Sequence, residues 1–197
     1  MTRRIVVVSA GLRDPSSTRL LADRLAAATV SGIPDAVVEL IELRPLAHDL
    51  ANQLLTGFAA GELAQAQATL AAADGVIAVT PVFSASYSGL FKTFFDVLET
   101  GTLAGKPVLL AATAGTPRHS LVLDHAMRPL FAWLQALVVP TAVFAAAEDW
   151  GDVANGALAD RIGRARRELA DLVNARPAGQ PTDAFSDVPD FETLLRG

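Results

Sequence analysis

Three short segments of this chain are apolar at every position: Ile5-Val6-Val7-Val8, Val76-Ile77-Ala78-Val79 and Val108-Leu109-Leu110-Ala111-Ala112. Successive side chains of a β-strand point to opposite faces, so a strand without polar positions has no face to offer water. Such strands belong in a parallel sheet covered by helices on both sides. Helical patterns do separate them. Ser17–Val30 sets Leu21, Leu25 and Ala28 on one face. Ser88–Glu99 sets Phe91, Phe94, Phe95 and Leu98 at i, i+3, i+4, i+7 spacing, and Val153–Val173 lines up Leu158, Ile162, Ala165, Leu169 and Leu172.

Strands are expected at Arg4–Ser9, Val37–Leu43, Gly75–Thr80, Lys106–Thr113 and Leu137–Phe144. Further helices are expected at Glu62–Ala73 and Arg118–Ala136, the second kinked at Pro129. The stretch through Pro45, His48 and Asn52 reads as irregular, and no role is assigned to His48. Strict alternation of this kind predicts an α/β, flavodoxin-like three-layer fold. Its five-stranded parallel sheet takes the order 2-1-3-4-5, with helices on both faces. Residues 1–175 make up this domain. Residues 176–197, punctuated by Pro177, Gly179, Pro181 and Pro189, read as an irregular arm with a short helical patch near Phe191–Leu195.

Composition narrows the function classes. Hydrophobic residues form 51% of the chain, too many for disorder over most of its length. Cysteine is absent, which removes disulfides, thiolate nucleophiles, iron–sulfur clusters and cysteine zinc sites. The net charge is −5, and most of it lies late: residues 1–147 carry 10 basic and 11 acidic groups, residues 148–197 carry 6 and 10. No basic stripe exists for a nucleic-acid backbone. The apolar run after Arg4 is too short for a signal peptide, and Pro140 divides the apolar stretch Leu130–Ala147, which is shorter than the roughly 20 residues of a membrane span. The expectation is a cytoplasmic protein that uses neither nucleic acid nor membrane. Helices three and four carry apolar residues around more than one face, which predicts a homodimer or homotetramer. No metal-ligand cluster and no suggestively spaced carboxylate pair is present.

In open α/β sheets, ligands bind beyond the carboxyl ends of the strands. Three strands end there in unusual loops. The first, Ser9-Ala10-Gly11-Leu12-Arg13-Asp14-Pro15-Ser16-Ser17-Thr18, leads three consecutive hydroxyls into a helix N-terminus. Unpaired amides and the helix dipole favour an anion there, although Ser16 or Ser17 also suits an ordinary N-cap. The loop is neither G-x-G-x-x-G nor a Walker A motif. The second, Thr80-Pro81-Val82-Phe83-Ser84-Ala85-Ser86-Tyr87-Ser88-Gly89, offers amides and an aromatic edge to a flat ring, or else is a turn with Ser88 as helix cap and Phe83 packed inward. The third, Thr113-Ala114-Gly115-Thr116-Pro117-Arg118-His119, is small and polar.

The segment Thr80-Pro81-Val82-Phe83…Tyr87-Ser88-Gly89-Leu90-Phe91-Lys92-Thr93-Phe94-Phe95-Asp96 resembles the T-P-x-Y/F…Y-S-G-x-x-K-x-x-x-D signature of NADPH-dependent FMN reductases. These are flavodoxin-like proteins, and the likeness is greatest to those that supply reduced flavin to two-component monooxygenases. Gly105-Lys106-Pro107 fits as well, and the resemblance covers roughly residues 3–147. It implies FMN as cofactor, NADPH or NADH as donor, and a flavin-dependent monooxygenase as partner. It implies an FMN phosphate held by Ser9, Ser16, Ser17 and Thr18, with Arg13 near the phosphate or the incoming nucleotide. Pro81, Val82 and Phe83 would border the isoalloxazine ring, Ser84 would lie near its polar edge, and Thr113, Ala114 and Gly115 would line its other rim. His119 is a candidate nucleotide contact. Two departures stand out: Leu12 follows Gly11 where the family often has serine, and Ala114 replaces a glycine, putting a methyl at the ring's rim. His125 stands where some relatives carry an aromatic. A quinone or azo-compound reductase, a flavodoxin-like electron carrier and a nucleotide-binding module without redox activity are the alternatives.

Overall fold

The computed structural model describes residues 2–151 and 156–176. The strands are β1 (Arg3–Ser9), β2 (Ala36–Glu42), β3 (Gly75–Phe83), β4 (Ser86–Tyr87), β5 (Pro107–Ala114), β6 (Leu137–Val138) and β7 (Val143–Ala146). The helices are α1 (Ser17–Val30), α2 (Ala47–Thr56), α3 (Gly61–Ala71), α4 (Gly89–Asp96), α5 (Arg128–Trp133) and α6 (Ala157–Asn174). The sheet runs β2-β1-β3-β5-β6, with β7 also on β5 and β4 folded back on β3. All pairings but β3–β4 are parallel. Taking β6 and β7 together as the last strand, this is the expected 2-1-3-4-5 order.

The alternation of side chains builds two cores from each strand. Ile5, Val7, Ile77, Val79, Leu109 and Ala111 pack beneath α1 and α6 with Leu21, Leu25, Leu158 and Leu169. Val6, Val8, Val76, Ala78, Val108 and Leu110 face the opposite layer with Leu50, Leu63, Phe91, Phe94, Phe95 and Phe131. The phenylalanines interlock: Phe91 and Phe95 centroids lie 4.7 Å apart, and Phe95 meets Phe131 edge-on at 4.9 Å.

Four expectations need correction. The stretch read as irregular contains α2, a helix that buries only Leu50 and Gln53 and ends at Gly57 with φ 81°. Leu50, Leu54 and Leu55 recur at helical spacing, but Leu54 and Leu55 are exposed, and Pro45, His48 and Asn52 interrupt the run. The strand expected over Leu137–Phe144 is two. After Val139 donates to the Val108 carbonyl, Pro140 has no N–H to continue the ladder. Glu168 of α6 instead accepts from the Thr141 amide (2.6 Å) and hydroxyl (2.7 Å), and pairing resumes at Val143. The kinked helix expected over Arg118–Ala136 is a 3₁₀ turn at Pro117–His119, a wide π-turn at Leu123–Met127, and then α5. Finally, β3 continues past Thr80 to Phe83. Helix α6 starts at Ala157, the expected start at Val153 lies outside the described residues, and so does the arm beyond Arg176.

Gly75 opens β3 where α6 crosses the sheet. A Cβ there would stand 2.7 Å from a Val173 methyl and 3.2 Å from Ile5 Cδ1. Gly75→Ala should therefore lower unfolding free energy by about 1–3 kcal/mol through overpacking, read by urea denaturation followed with circular dichroism.

Candidate functional site

The sheet register brings the three loops to one edge. Ser9 pairs with Glu42 on one side and Val79 on the other, and Pro81 pairs with Thr113. The ends of β1, β2, β3 and β5 are therefore neighbours.

The opening loop folds tightly on itself. A Cβ on Gly11 would sit 2.3 Å from Ser16 Oγ, so only glycine permits that approach. Ser16 is the N-cap of α1 in extended geometry, and its Oγ accepts from the Arg19 amide at 3.2 Å. The Leu20 amide is satisfied by the Ser16 carbonyl. This leaves the Ser17 and Thr18 amides at the helix end without an intrahelical acceptor. No acidic residue occupies the first turn of α1. Ser17 is exposed, whereas Ser9 and Thr18 are buried. The four candidate hydroxyls thus divide: Ser16 caps, Ser17 faces solvent, and Ser9 and Thr18 belong to the interior.

Thr18 joins two loops. Its Oγ1 lies 2.8 Å from Thr113 Oγ1 at the end of β5, with both residues 2% exposed. One hydroxyl donates to the other, and the acceptor keeps its own proton for a further partner.

The second loop is a two-residue hairpin. Val82 pairs with Tyr87 and Phe83 with Ser86. Ser84 and Ala85 make the turn at φ 48° and 66°, a left-handed conformation that costs a non-glycine residue about 1–2 kcal/mol. The Ser88 amide donates to Thr80 Oγ1, and Ser88 Oγ caps α4 by accepting from the Phe91 amide at 3.1 Å. The expected cap is present, but Phe83 does not pack inward: it is 47% exposed, and Pro81 and Val82 are half-buried. On the third loop Thr113 is buried, Ala114 half-buried and paired with Ala146, and Gly115 exposed with nothing within 4 Å of a Cβ position. His119 lies exposed in the 3₁₀ turn, whose cap is Thr116. His125 is exposed in the π-turn and lines a different groove, beside α4 and α5.

The donor set suits an anion joined to a flat group. A helix end with two open amides and the Ser17 hydroxyl matches a phosphate monoester. The hairpin's apolar flank and the exposed Gly115, with nothing within 4 Å of a Cβ position, are chemically suited to a planar ring. FMN has this shape, so the residues present fit it.

The profile for the NADPH-dependent FMN reductase family matches residues 3–151. The chain belongs to that family. It is 38% identical over 176 residues to the FMN reductase (NADPH) of Pseudomonas aeruginosa, covering 88% of this chain and 94% of the relative. It is equally similar, with the same coverage, to the NADH-dependent FMN reductase SfnE of Pseudomonas putida. An oxidoreductase structure from Corynebacterium diphtheriae superposes with a TM-score of 0.86 at 46% identity, covering 89% of this chain and 99% of that one.

A feature of this reductase-family site not read from sequence lies at the end of β2. Arg44 follows that strand and, with Arg13, Arg19 and Glu42, lines a cleft beside the opening loop. Arg19 bonds Asp23 at 2.9 Å and Glu42 at 2.8 Å. The Asp23 hydrogen bond, assisted by Glu42, holds its guanidinium above the ordinary pKa despite some desolvation. The available signal was an arginine just past a strand end at the ligand edge.

The Thr18–Thr113 bond makes a separable prediction. Thr18→Val or Thr113→Val alone leaves a buried hydroxyl without its partner and should destabilise by about 1–3 kcal/mol. Thr18→Val/Thr113→Val together should lose less than the sum of the two, in a double-mutant cycle of thermal unfolding.

Proposed function

We propose that this protein is an NAD(P)H-dependent FMN reductase that transfers hydride from a reduced nicotinamide nucleotide to flavin. The convergence of three loops at one sheet edge, beside a helix end with open amides and no acid, is the observation that carries this reading. The relatives named as FMN reductases support it. Arg13, Ser16 and Ser17 would face the flavin phosphate, and the buried Ser9 and Thr18 would back them, Thr18 offering its amide. Pro81, Val82 and Phe83 border the ring, Ser84 its polar edge, and Thr113, Ala114 and Gly115 its other rim. His119 contacts the nucleotide.

Bound FMN supplies the hydride-accepting chemistry, and the protein supplies position and electrostatics. The Ser17 hydroxyl and the Ser17 and Thr18 amides hold the phosphate. The Ser16 hydroxyl, already an acceptor for Arg19, donates its proton to the same group. Thr18 and Thr113 keep a fixed spacing between the phosphate end and the ring end. Phe83 and Val82 exclude water from one ring flank.

The protein works in the cytoplasm, in keeping with a chain that lacks cysteine. Among the described residues no helix is long and apolar enough to cross a membrane. It assembles as a homodimer or homotetramer: a groove of about 1020 Å³ between α4 and α5 is bordered by Trp133, which is 83% exposed. Reduced flavin passes to a monooxygenase, as the second-loop signature implies.

Purified protein should consume NADPH or NADH only when FMN is added, followed by nicotinamide absorbance. No flavin-dependent consumption with either nucleotide would reject the reading. Ser17→Ala should weaken FMN binding by about 1–3 kcal/mol in a fluorescence titration while riboflavin binding changes little.

A further inference from the structure

Helices α1 and α6 pack side by side over one face of the sheet, and their outer seam is an open groove of about 380 Å³. Its floor is Ala28 from α1 with Ala159, Ile162 and Gly163 from α6, and Arg24 and Arg166 complete the lining. Arg24 lies over the Trp150 ring, 5.1 Å from its centroid, and its Nη1 is buried without an acceptor. Arg166 donates only to Ser31 Oγ, at 3.2 Å. Among the described residues neither guanidinium has a carboxylate within ion-pair distance. The carboxylates of the two helices are occupied or lie elsewhere. Asp23 bonds Arg19, and Glu168 holds Thr141. Asp160 and Asp171 are exposed, each at i,i+4 spacing from another arginine of α6, Arg164 and Arg167. None of the four lines the groove. An apolar floor beside two uncompensated cations calls for a cover that is apolar on one side and acidic along its margin.

We propose that this groove is the docking site of the chain's own C-terminal arm, taken up by residues 185–195. The sequence beyond Arg176 has the required chemistry. Phe185, Val188, Phe191, Leu194 and Leu195 are its large apolar residues, and its four carboxylates, Asp183, Asp187, Asp190 and Glu192, are offset only by Arg196. Phe191, Leu194 and Leu195 recur at i, i+3, i+4, the spacing of one helix face. The point of departure is fixed. The Arg176 guanidinium donates to the Gly105 carbonyl, and the Arg176 carbonyl accepts from Arg3. The length fits as well. From Arg176 back to the groove residues of α6 is about 15–25 Å along the helix at 1.5 Å per residue. Extended chain covers about 3.3 Å per residue, so residues 177–184 suffice to return and set Phe185–Leu195 over the groove. Running back along α6, the arm meets Arg166 first, with Asp187, and then Arg24, with Asp190 and Glu192. Docked there it clamps α1 to α6 from outside, on the helix whose first turn opens the phosphate end of the site.

Photo-crosslinking of the full chain with p-benzoylphenylalanine in place of Phe191 reads the arm's position directly. Peptide mass spectrometry should find the crosslinks in Arg24–Ala28 and Ala159–Arg166, in a product that runs at the mass of one chain on a denaturing gel. Arg24→Glu/Arg166→Glu should lose most of that yield, and adding Asp187→Arg/Asp190→Arg to the same chain should restore it. Asp187→Arg/Asp190→Arg alone, which leaves α1 and α6 untouched, should lose it too, so the result does not depend on how the helix variants fold. Crosslinks spread over the surface with no preferred peptide overturn the proposal, as does a yield unmoved by the charge reversals. Crosslinks to the groove between α4 and α5 overturn it by placing the arm on the other layer. A product of twice the chain mass overturns it by assigning the groove to the arm of a second copy.

Discussion

Strands without a polar face leave a protein one place to do chemistry. In β1, β3 and β5 every central side chain is packed against α1 and α6 or against the phenylalanine layer. Polar groups can then enter only where the strands stop. The parallel register makes them stop together, so loops from distant parts of the sequence meet without long excursions. The buried Thr18–Thr113 contact is where this convergence becomes a bond, joining the start of α1 to the end of β5 across 95 positions. The geometry of the edge follows from hydrophobic burial first and from hydrogen bonding second.

The parts that were readable in sequence are those where one local rule acts alone. The span of α1 matches its expected span because Ser16 supplies a cap and Leu21 and Leu25 set the face. The order of the central strands follows from their unbroken apolar runs. What escaped reading depended on distant partners. Helix α2 has helical spacing in Leu50, Leu54 and Leu55, but it starts two residues after Pro45 and carries His48 and Asn52, which break up the pattern. The hairpin after Pro81 turns through Ser84 and Ala85, not the asparagine or glycine that normally marks such a turn. The division of hydroxyls between cap, solvent and interior was invisible, because Thr18 differs from Ser17 only in what lies opposite it.

The site asks little of individual side chains, in keeping with chemistry carried by a cofactor. No histidine lies buried among the loops, and backbone amides with short hydroxyls make up most of the polar surface at the helix end.

The interruption at Pro140 bears on behaviour in crowded solution. A long regular border strand is a template on which other chains can stack into fibrils. On the β5 side the described residues offer only the stubs β6 and β7, with the backbone between them pinned by a carboxylate from α6. On the far side β2 carries Glu39 and Glu42, each bonded to an arginine. Both margins are thus poor seeds for runaway aggregation.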